Sequence, residues 1–487
     1  MKALFLYLKL HQYWIALFAI SIIQISIILI YQFNGYFGQD SYEYLKTTRE
    51  LIQYYKGGPL PTYSVFPGMY PFICSLIGLL IPDTLFVLQF VSLIALMVSY
   101  ILLRKIILMI YKTDKYLDIY LFLFFALSPY ILRFSIISMS DITGIVLWLT
   151  ALYFSLQFQL KGRINSLLFA CLFSGFAIMT RYPAVVILIM PAVICIRQIL
   201  KQKKYHLFVI GVVFFLLGSL PDYFLKGRFF FWDITGNEST FSYFYFLDQY
   251  SISNFFRRDF YNLDGWQHYK YPNIVYVFQI FVHPAFIFTG LLFILFARKK
   301  QFAQKEQQLT LLTIILYLCF LAGNAYQSDR YLMFVLPLLL VFYYASFLEI
   351  LNKFEFTNKK LFLFIFMITA IQLALFIYSF RVTLEMNKNE KNIADTISSL
   401  PKGVMVYTFS IDGAIKAYYP EVKIFDIYTN SLTDSTIQNG YLLFNYEAFS
   451  NQFTDLNPME NYQFLHSHYT LQSEKKFENG WELFQIK

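Results

Sequence analysis

The chain has 487 residues, of which 58% are hydrophobic and only 14% charged, with a mean hydropathy of +0.51 and a formal net charge of +9. Soluble domains carry about 25% charged and about 45–50% apolar residues, so an ordinary water-soluble enzyme is excluded, as are disorder and any collagen or coiled-coil repeat. The basic residues form short clusters between apolar stretches rather than one patch, which points to membrane-surface loops and away from nucleic acid.

Lys2 and Lys9 precede an apolar run over 13–33, about the length that crosses a hydrocarbon core. No small-residue cleavage site follows it, so it reads as a retained first span. Further apolar runs lie near 85–104, 116–132, 142–160, 164–180, 183–199, 206–224, 273–297, 308–325, 331–351 and 361–380, which makes about eleven spans. The run 66–81 is short and opens with Pro67-Gly68 and Pro71. If it does not cross, the basic clusters around Arg104 and Lys105, Lys161 and Arg163, Arg197 to Lys204, Arg298 to Lys305 and Lys353 to Lys360 all face the cytoplasm, as the positive-inside rule requires. It is therefore assigned as an interfacial segment in the first exterior loop.

That assignment puts 34–64, the turn around Ser135 to Asp141, the loop 225–272 and everything beyond about 382 on the exterior face. From 382 the composition changes. Asn389 to Leu400 reads as a helix, and 404–407, 422–425, 441–444 and 482–486 as short strands. The expected architecture is an α-helical polytopic membrane domain over 1–381 and a small soluble α/β domain over 382–487. Cys74, Cys171, Cys195 and Cys319 sit in apolar runs without metal-ligand spacing and read as small buried side chains, and His466 and His468 as surface histidines.

The chemistry-bearing residues gather on the exterior face. Asp40 lies in Gly38-Gln39-Asp40-Ser41-Tyr42-Glu43-Tyr44, just after the first span, and Asp141 follows Ser140 at the entrance of another. Each could be a helix cap; two carboxylates at one membrane surface favour acid–base work. Arg181, in Thr180-Arg181-Tyr182-Pro183, and Arg330, in Ser328-Asp329-Arg330-Tyr331, stand at exterior helix ends, where the positive-inside bias disfavours them and a phosphate could be gripped by two parallel hydrogen bonds. Arg257 and Arg258 are auxiliary candidates.

Asp40 with Tyr44, Pro67-Gly68-Met69-Tyr70-Pro71, Ser140-Asp141, Thr180-Arg181-Tyr182 and Arg330-Tyr331 together resemble the GT-C membrane glycosyltransferases, most closely the family 39 branch of protein O-mannosyltransferases and lipid A aminoarabinose transferase. The resemblance covers about residues 10–350. It implies transfer of one sugar from a polyprenyl-phosphate carrier to a lipid, glycan or protein acceptor outside the cytoplasmic membrane, with inversion at the sugar carbon. By that likeness Asp40 is the base and Asp141 the second acid. Arg181 or Arg330 neutralises the departing phosphate, and Tyr44, Tyr182 and Tyr331 border the substrate. Some relatives carry an acidic residue, histidine or lysine before the first-loop proline, where this chain has Val65-Phe66. That departure argues against a metal site there, and Glu43 and His283 are the residues left to hold a divalent cation. The rival readings are a polytopic transporter and a glycan polymerase or ligase using a lipid-diphosphate donor.

Overall fold

The computed structural model describes residues 12–487 except 63–65, 227–248, 263, 287–289, 298–301, 303, 356, 434–436 and 438–439. The first apolar run forms α1 (Gln12–Tyr31), followed by α2 (Gly38–Tyr55) and α3 (Met69–Gly78). With ten residues at about 1.5 Å each, α3 reaches only half of a hydrocarbon core, consistent with the interfacial assignment. Then come α4 (Thr84–Tyr111), α5 (Leu117–Leu121), α6 (Pro129–Ile136), α7 (Asp141–Lys161), α8 (Ile164–Ile178), α9 (Ala184–Gln202), α10 (His206–Leu217) and α11 (Leu220–Lys226). After a β-hairpin follow α12 (Asn273–Val282), α13 (Gly290–Leu295), α14 (Lys305–Gly323), α15 (Asp329–Met333), α16 (Leu336–Lys353) and α17 (Asn358–Ser398).

Among the described residues seven helices, α1, α4, α7, α9, α14, α16 and α17, are long and apolar enough to span, and a bent pair makes an eighth. The remaining expected spans are shorter or broken. The run 116–132 bends by 69° because Pro129, which lacks an N–H, ends the π-helical turn Phe122–Ala126 and restarts the chain as α6. The run 273–297 divides at His283-Pro284, 206–224 at Gly218 and Ser219, and 331–351 at Phe334 and Val335. The apolar run 361–380 and the helix expected from Asn389 instead join as α17, 41 residues long.

Burial sorts the bundle. α7 is mostly buried and packs between α4 and α8, whereas the apolar stretches of α1 and α17 are mostly uncovered and present side chains such as Phe18, Leu29 and Phe366 outward, as lipid-facing helices do. Cys74 and Cys195 are buried as expected; Cys171 is half-buried and Cys319 is exposed on α14, because an apolar run at the bundle surface faces lipid as readily as core.

The C-terminal domain is a five-stranded mixed sheet in the order β4-β3-β5-β7-β6, with α18 (Asp412–Tyr418), α19 (Tyr446–Phe449) and α20 (Asn457–His468) between strands. β3 (Met405–Thr408) runs parallel to β4 (Lys423–Asp426) and β5 (Gly440–Phe444), while β7 (Glu482–Ile486) is antiparallel to β5 and to β6 (Leu471–Lys476). The edge strand β6, Leu-Gln-Ser-Glu-Lys-Lys, has no apolar alternation and escaped sequence reading; charged edges of this kind deter pairing with other chains. The β1 (Asp259–Asn262) and β2 (Gly265–His268) hairpin also went unread, although Asp264-Gly265 is a turn signal. One apolar cluster unites Tyr36, Tyr42, Tyr44 and Tyr70 with Val406 and Leu443 of the sheet and Ile415 of α18, so the C-terminal domain is seated on α2 and α3.

Candidate active site

Four segments remote in sequence converge at one end of the bundle. Asp40 lies in the first turn of α2, Asp141 opens α7, Arg181 follows α8, and Arg330 sits in the first turn of α15. Arg330 bridges both acids: its Nη1 donates to Asp40 Oδ2 at 2.6 Å, its Nε donates to Asp141 Oδ2 at 3.2 Å, and its Nη2 lies 3.1 Å from Asp141 Oδ2. Arg181 Nη2 donates to Asp141 Oδ1 at 2.5 Å. The two expected acids and two expected arginines therefore form one charge network.

The acids differ in exposure. The Asp141 side chain is 1% exposed and enclosed by two guanidinium groups, whereas that of Asp40 is 24% exposed. Among the described residues Arg330 takes only Oδ2 of Asp40, leaving Oδ1 open. Arg181 Nε is buried with no hydrogen-bond acceptor among the described residues, and Arg330 Nη2, though within ion-pair distance of Asp141 Oδ2, makes no aligned hydrogen bond there. Buried guanidinium donors without acceptors are costly unless an anionic oxygen meets them, so the geometry favours an anion beside Asp40.

The surrounding residues fix these four. Tyr44 is buried, with its hydroxyl 2.8 Å from Ser140 Oγ and its ring edge-on to Tyr70 at 5.1 Å, which locks α2 to the entrance of α7. The Pro67–Pro71 motif does similar work: Met69 N–H donates to Met179 O at 2.9 Å, two residues before Arg181, and Gly68 N–H donates to Asp222 Oδ1 at 2.8 Å. Ser328 caps α15, and its carbonyl accepts from Tyr276 Oη at 2.5 Å. Tyr317 Oη donates to Tyr331 O at 2.9 Å. Tyr182 and Tyr331 are half-buried and pack on the helix core.

The remaining candidates lie apart. Glu43 is 3.7 Å from Lys46 and near the negative charge of Asp412 in the C-terminal domain; loss of hydration raises its carboxyl above the ordinary value. His283 Nδ1 accepts from the Ala285 N–H at 3.2 Å, and its ring stacks on Tyr130 at 5.7 Å, a turn-forming role beyond α12. Among the described residues no three His, Cys, Asp or Glu side chains gather as a metal site. Arg257 stacks over Phe260 at 5.6 Å and Arg258 lies 3.7 Å from Asp259, both at the base of the hairpin.

Sequence reading missed three supporting acids. Asp222 holds Gly68. Asp264, at the hairpin turn, has its carboxyl raised first by loss of hydration and then by the negative charge of Asp40, so the turn faces the site. Glu390 of α17 accepts from the Gly38 N–H at 3.3 Å and from Tyr42 Oη at 2.8 Å, and so steadies the turn that carries Asp40. Only the Asp-Gly turn signature of Asp264 left a trace in sequence.

Residues 66–220 match the family model described as dolichyl-phosphate-mannose-protein mannosyltransferase. The fold is similar to that of ArnT from Cupriavidus metallidurans in the apo state, with 11% identity, a TM-score of 0.59, and coverage of 95% of this chain and 97% of that one. ArnT from the same organism bound to undecaprenyl phosphate matches with 12% identity, a TM-score of 0.58 and the same coverage. No curated protein sequence gives a significant match. The likeness to GT-C membrane glycosyltransferases is thus borne by a family model over 66–220 and by the fold over nearly the whole chain.

Proposed function

We propose that this chain is a membrane glycosyltransferase that moves one sugar from a polyprenyl-phosphate donor to an acceptor hydroxyl at the extracytoplasmic face. The observation that carries the reading is the pairing of a half-open carboxylate, Asp40, with two guanidinium groups, of which Arg181 Nε has no hydrogen-bond acceptor and Arg330 Nη2 has only its ion pair with Asp141, among the described residues. The ArnT structure bound to undecaprenyl phosphate supports a lipid-phosphate ligand for this fold. An apolar groove of about 310 Å³ between α8, α9 and α10 includes Ile178, three residues before Arg181, and suits an isoprenoid tail.

In this reading Asp40 Oδ1 takes the proton of the acceptor hydroxyl. The freed oxygen pair bonds to the anomeric carbon, and the bond from that carbon to the phosphate oxygen breaks, with its electrons leaving on the polyprenyl phosphate. Arg181 and Arg330 stabilise the charge that develops there. Attack from the face opposite the phosphate inverts the sugar carbon. Asp141, wholly enclosed, orients the two guanidinium groups and touches neither substrate. The clusters of Lys and Arg at the other end of the spans support an extracytoplasmic site.

The test is transfer from a labelled polyprenyl-phosphate sugar by the purified chain in lipid nanodiscs. Asp40→Asn is expected to lower turnover by about 10²-fold or more, the range of a positioned general base. Retained turnover in that variant removes Asp40 from the role, and donor-independent solute flux by the wild-type chain in liposomes overturns the transferase reading.

A further inference from the structure

A second cavity, of about 320 Å³, lies in the C-terminal domain. Its floor follows from strand register. Phe444 pairs with Glu482 across β5 and β7, and Glu482 pairs with Lys476 across β7 and β6, so the three side chains form one row on one face of the sheet. Tyr462 of α20 stacks on Phe444 at 4.7 Å, and Tyr446 of α19 lies 5.2 Å from Tyr462 with about half of its surface exposed. Trp481 also lines it. The Lys476 ammonium is 3.4 Å from Glu482, while Glu447 at the rim has no ion-pair partner among the described residues.

We propose that this cavity is a saccharide-binding subsite that takes a sugar unit of a glycan acceptor; the acceptor assignment, though not the binding, rests on the transferase reading. Ring faces bordered by carboxylates are what a sugar ring requires. Its C–H face, carrying slight positive charge, meets the negative face of an aromatic ring, and its hydroxyls donate to Glu447 and Glu482. The volume is at the lower end for small-ligand sites, with room for one or two sugar units. The cavity is also tied to the Asp40 cluster. Tyr446 and Glu447 line it, and six residues after Tyr446 the Gln452 carbonyl accepts from Trp266 N–H at 2.7 Å while Gln452 Nε2 donates to the Asp264 carbonyl at 2.6 Å. The same short segment thus walls the cavity and holds the hairpin turn facing Asp40.

The experiment is saturation-transfer NMR on the full-length chain in nanodiscs, with chitobiose and maltose as probes at millimolar concentration. Saturation of sugar ring protons is expected for at least one probe. Tyr446→Ala and Glu447→Gln, both at exposed positions, should weaken binding by about tenfold with unchanged melting, while Asp40→Asn should leave binding intact. No transfer to either sugar, or binding unchanged in both cavity variants, overturns the proposal. In the transfer assay Tyr446→Ala should raise the KM for a glycan acceptor and hold kcat; loss of sugar binding with an unchanged KM overturns the acceptor assignment. Sugar binding by a wild-type chain that transfers nothing leaves the subsite standing and sinks the transferase reading instead.

Discussion

Asp40 and Asp141 share a partner in Arg330 yet stand in different solvent environments, and in the proposed reaction that difference assigns chemistry to one and support to the other. Replacing Asp141 with Asn would leave Arg181 a buried cation without a carboxylate and Arg330 with Asp40 alone, a loss of about 3–5 kcal/mol. Asp141→Asn is therefore expected to melt well below wild type in detergent, whereas Asp40→Asn, with its side chain partly in solvent, should melt close to wild type while losing turnover. Equal melting of the two variants would refute the division of roles. Arg181→Lys tests the neighbouring cation. A lysine keeps the charge but not the planar fork, so donor binding should weaken by about 1–3 kcal/mol, read as a rise in donor KM. The acids and arginines were legible in sequence because acids, and arginines set apart from the basic clusters, are rare at the ends of apolar spans. Asp222 and Glu390 were not, because their roles depend on the Gly68 and Gly38 N–H groups they reach across the fold.

Elements bring those residues together by packing that small side chains permit. α8 and α10 approach so closely that a Cβ at Gly175 would stand 2.4 Å from the Phe215 carbonyl oxygen and 2.8 Å from the Gly218 Cα. Both obstacles are backbone and cannot swing aside, and in lipid such small-residue contacts do the work that hydrophobicity does in water. Gly175→Ala should cost about 1–3 kcal/mol, seen as a lower melting temperature and a displaced Arg181 segment with reduced turnover. Melting as in wild type would show that the two helices separate without penalty. Gly38 presents a different constraint: its φ is +66°, and no atom lies within 4 Å of its missing Cβ. Substitution there strains the backbone rather than the packing, at the turn that carries Asp40. Sequence reading located the strands of β3, β4, β5 and β7 to within a residue or so because they are short apolar runs between turn residues. It missed β6 and the β1–β2 hairpin because neither has a buried face long enough to impose alternation.

At the scale of the whole molecule, α17 is the element that couples the helical bundle to the C-terminal sheet domain. Its 41 residues extend about 60 Å, twice a hydrocarbon core, so its charged end from Arg381 onward stands clear of the apolar slab. There Glu390 is lifted from its ordinary value near 4.5 to about 7 by loss of hydration, only partly offset by its bonds from Tyr42 and Gly38. The fold thus favours the protonated acid. Its stabilising effect is complete below pH 4.5, declines as pH rises toward about 7 and is gone above that, a change of about 3 kcal/mol. Melting followed from pH 4.5 to 8 should fall through this window in wild type and lose that component in Glu390→Gln; identical profiles would exclude the device. By itself the sequence determined that the chain is a membrane protein, where its apolar helices and C-terminal strands lie, and which acids and arginines stand at their ends, because hydropathy and local periodicity are properties of neighbours along the chain. Only the tertiary structure decided that Arg330 joins Asp40 to Asp141, that α17 is continuous and caps the Asp40 turn, and that a hairpin from a separate loop faces the site. Those contacts join residues up to 352 positions apart, and their formation depends on how helices pack, which no local pattern encodes.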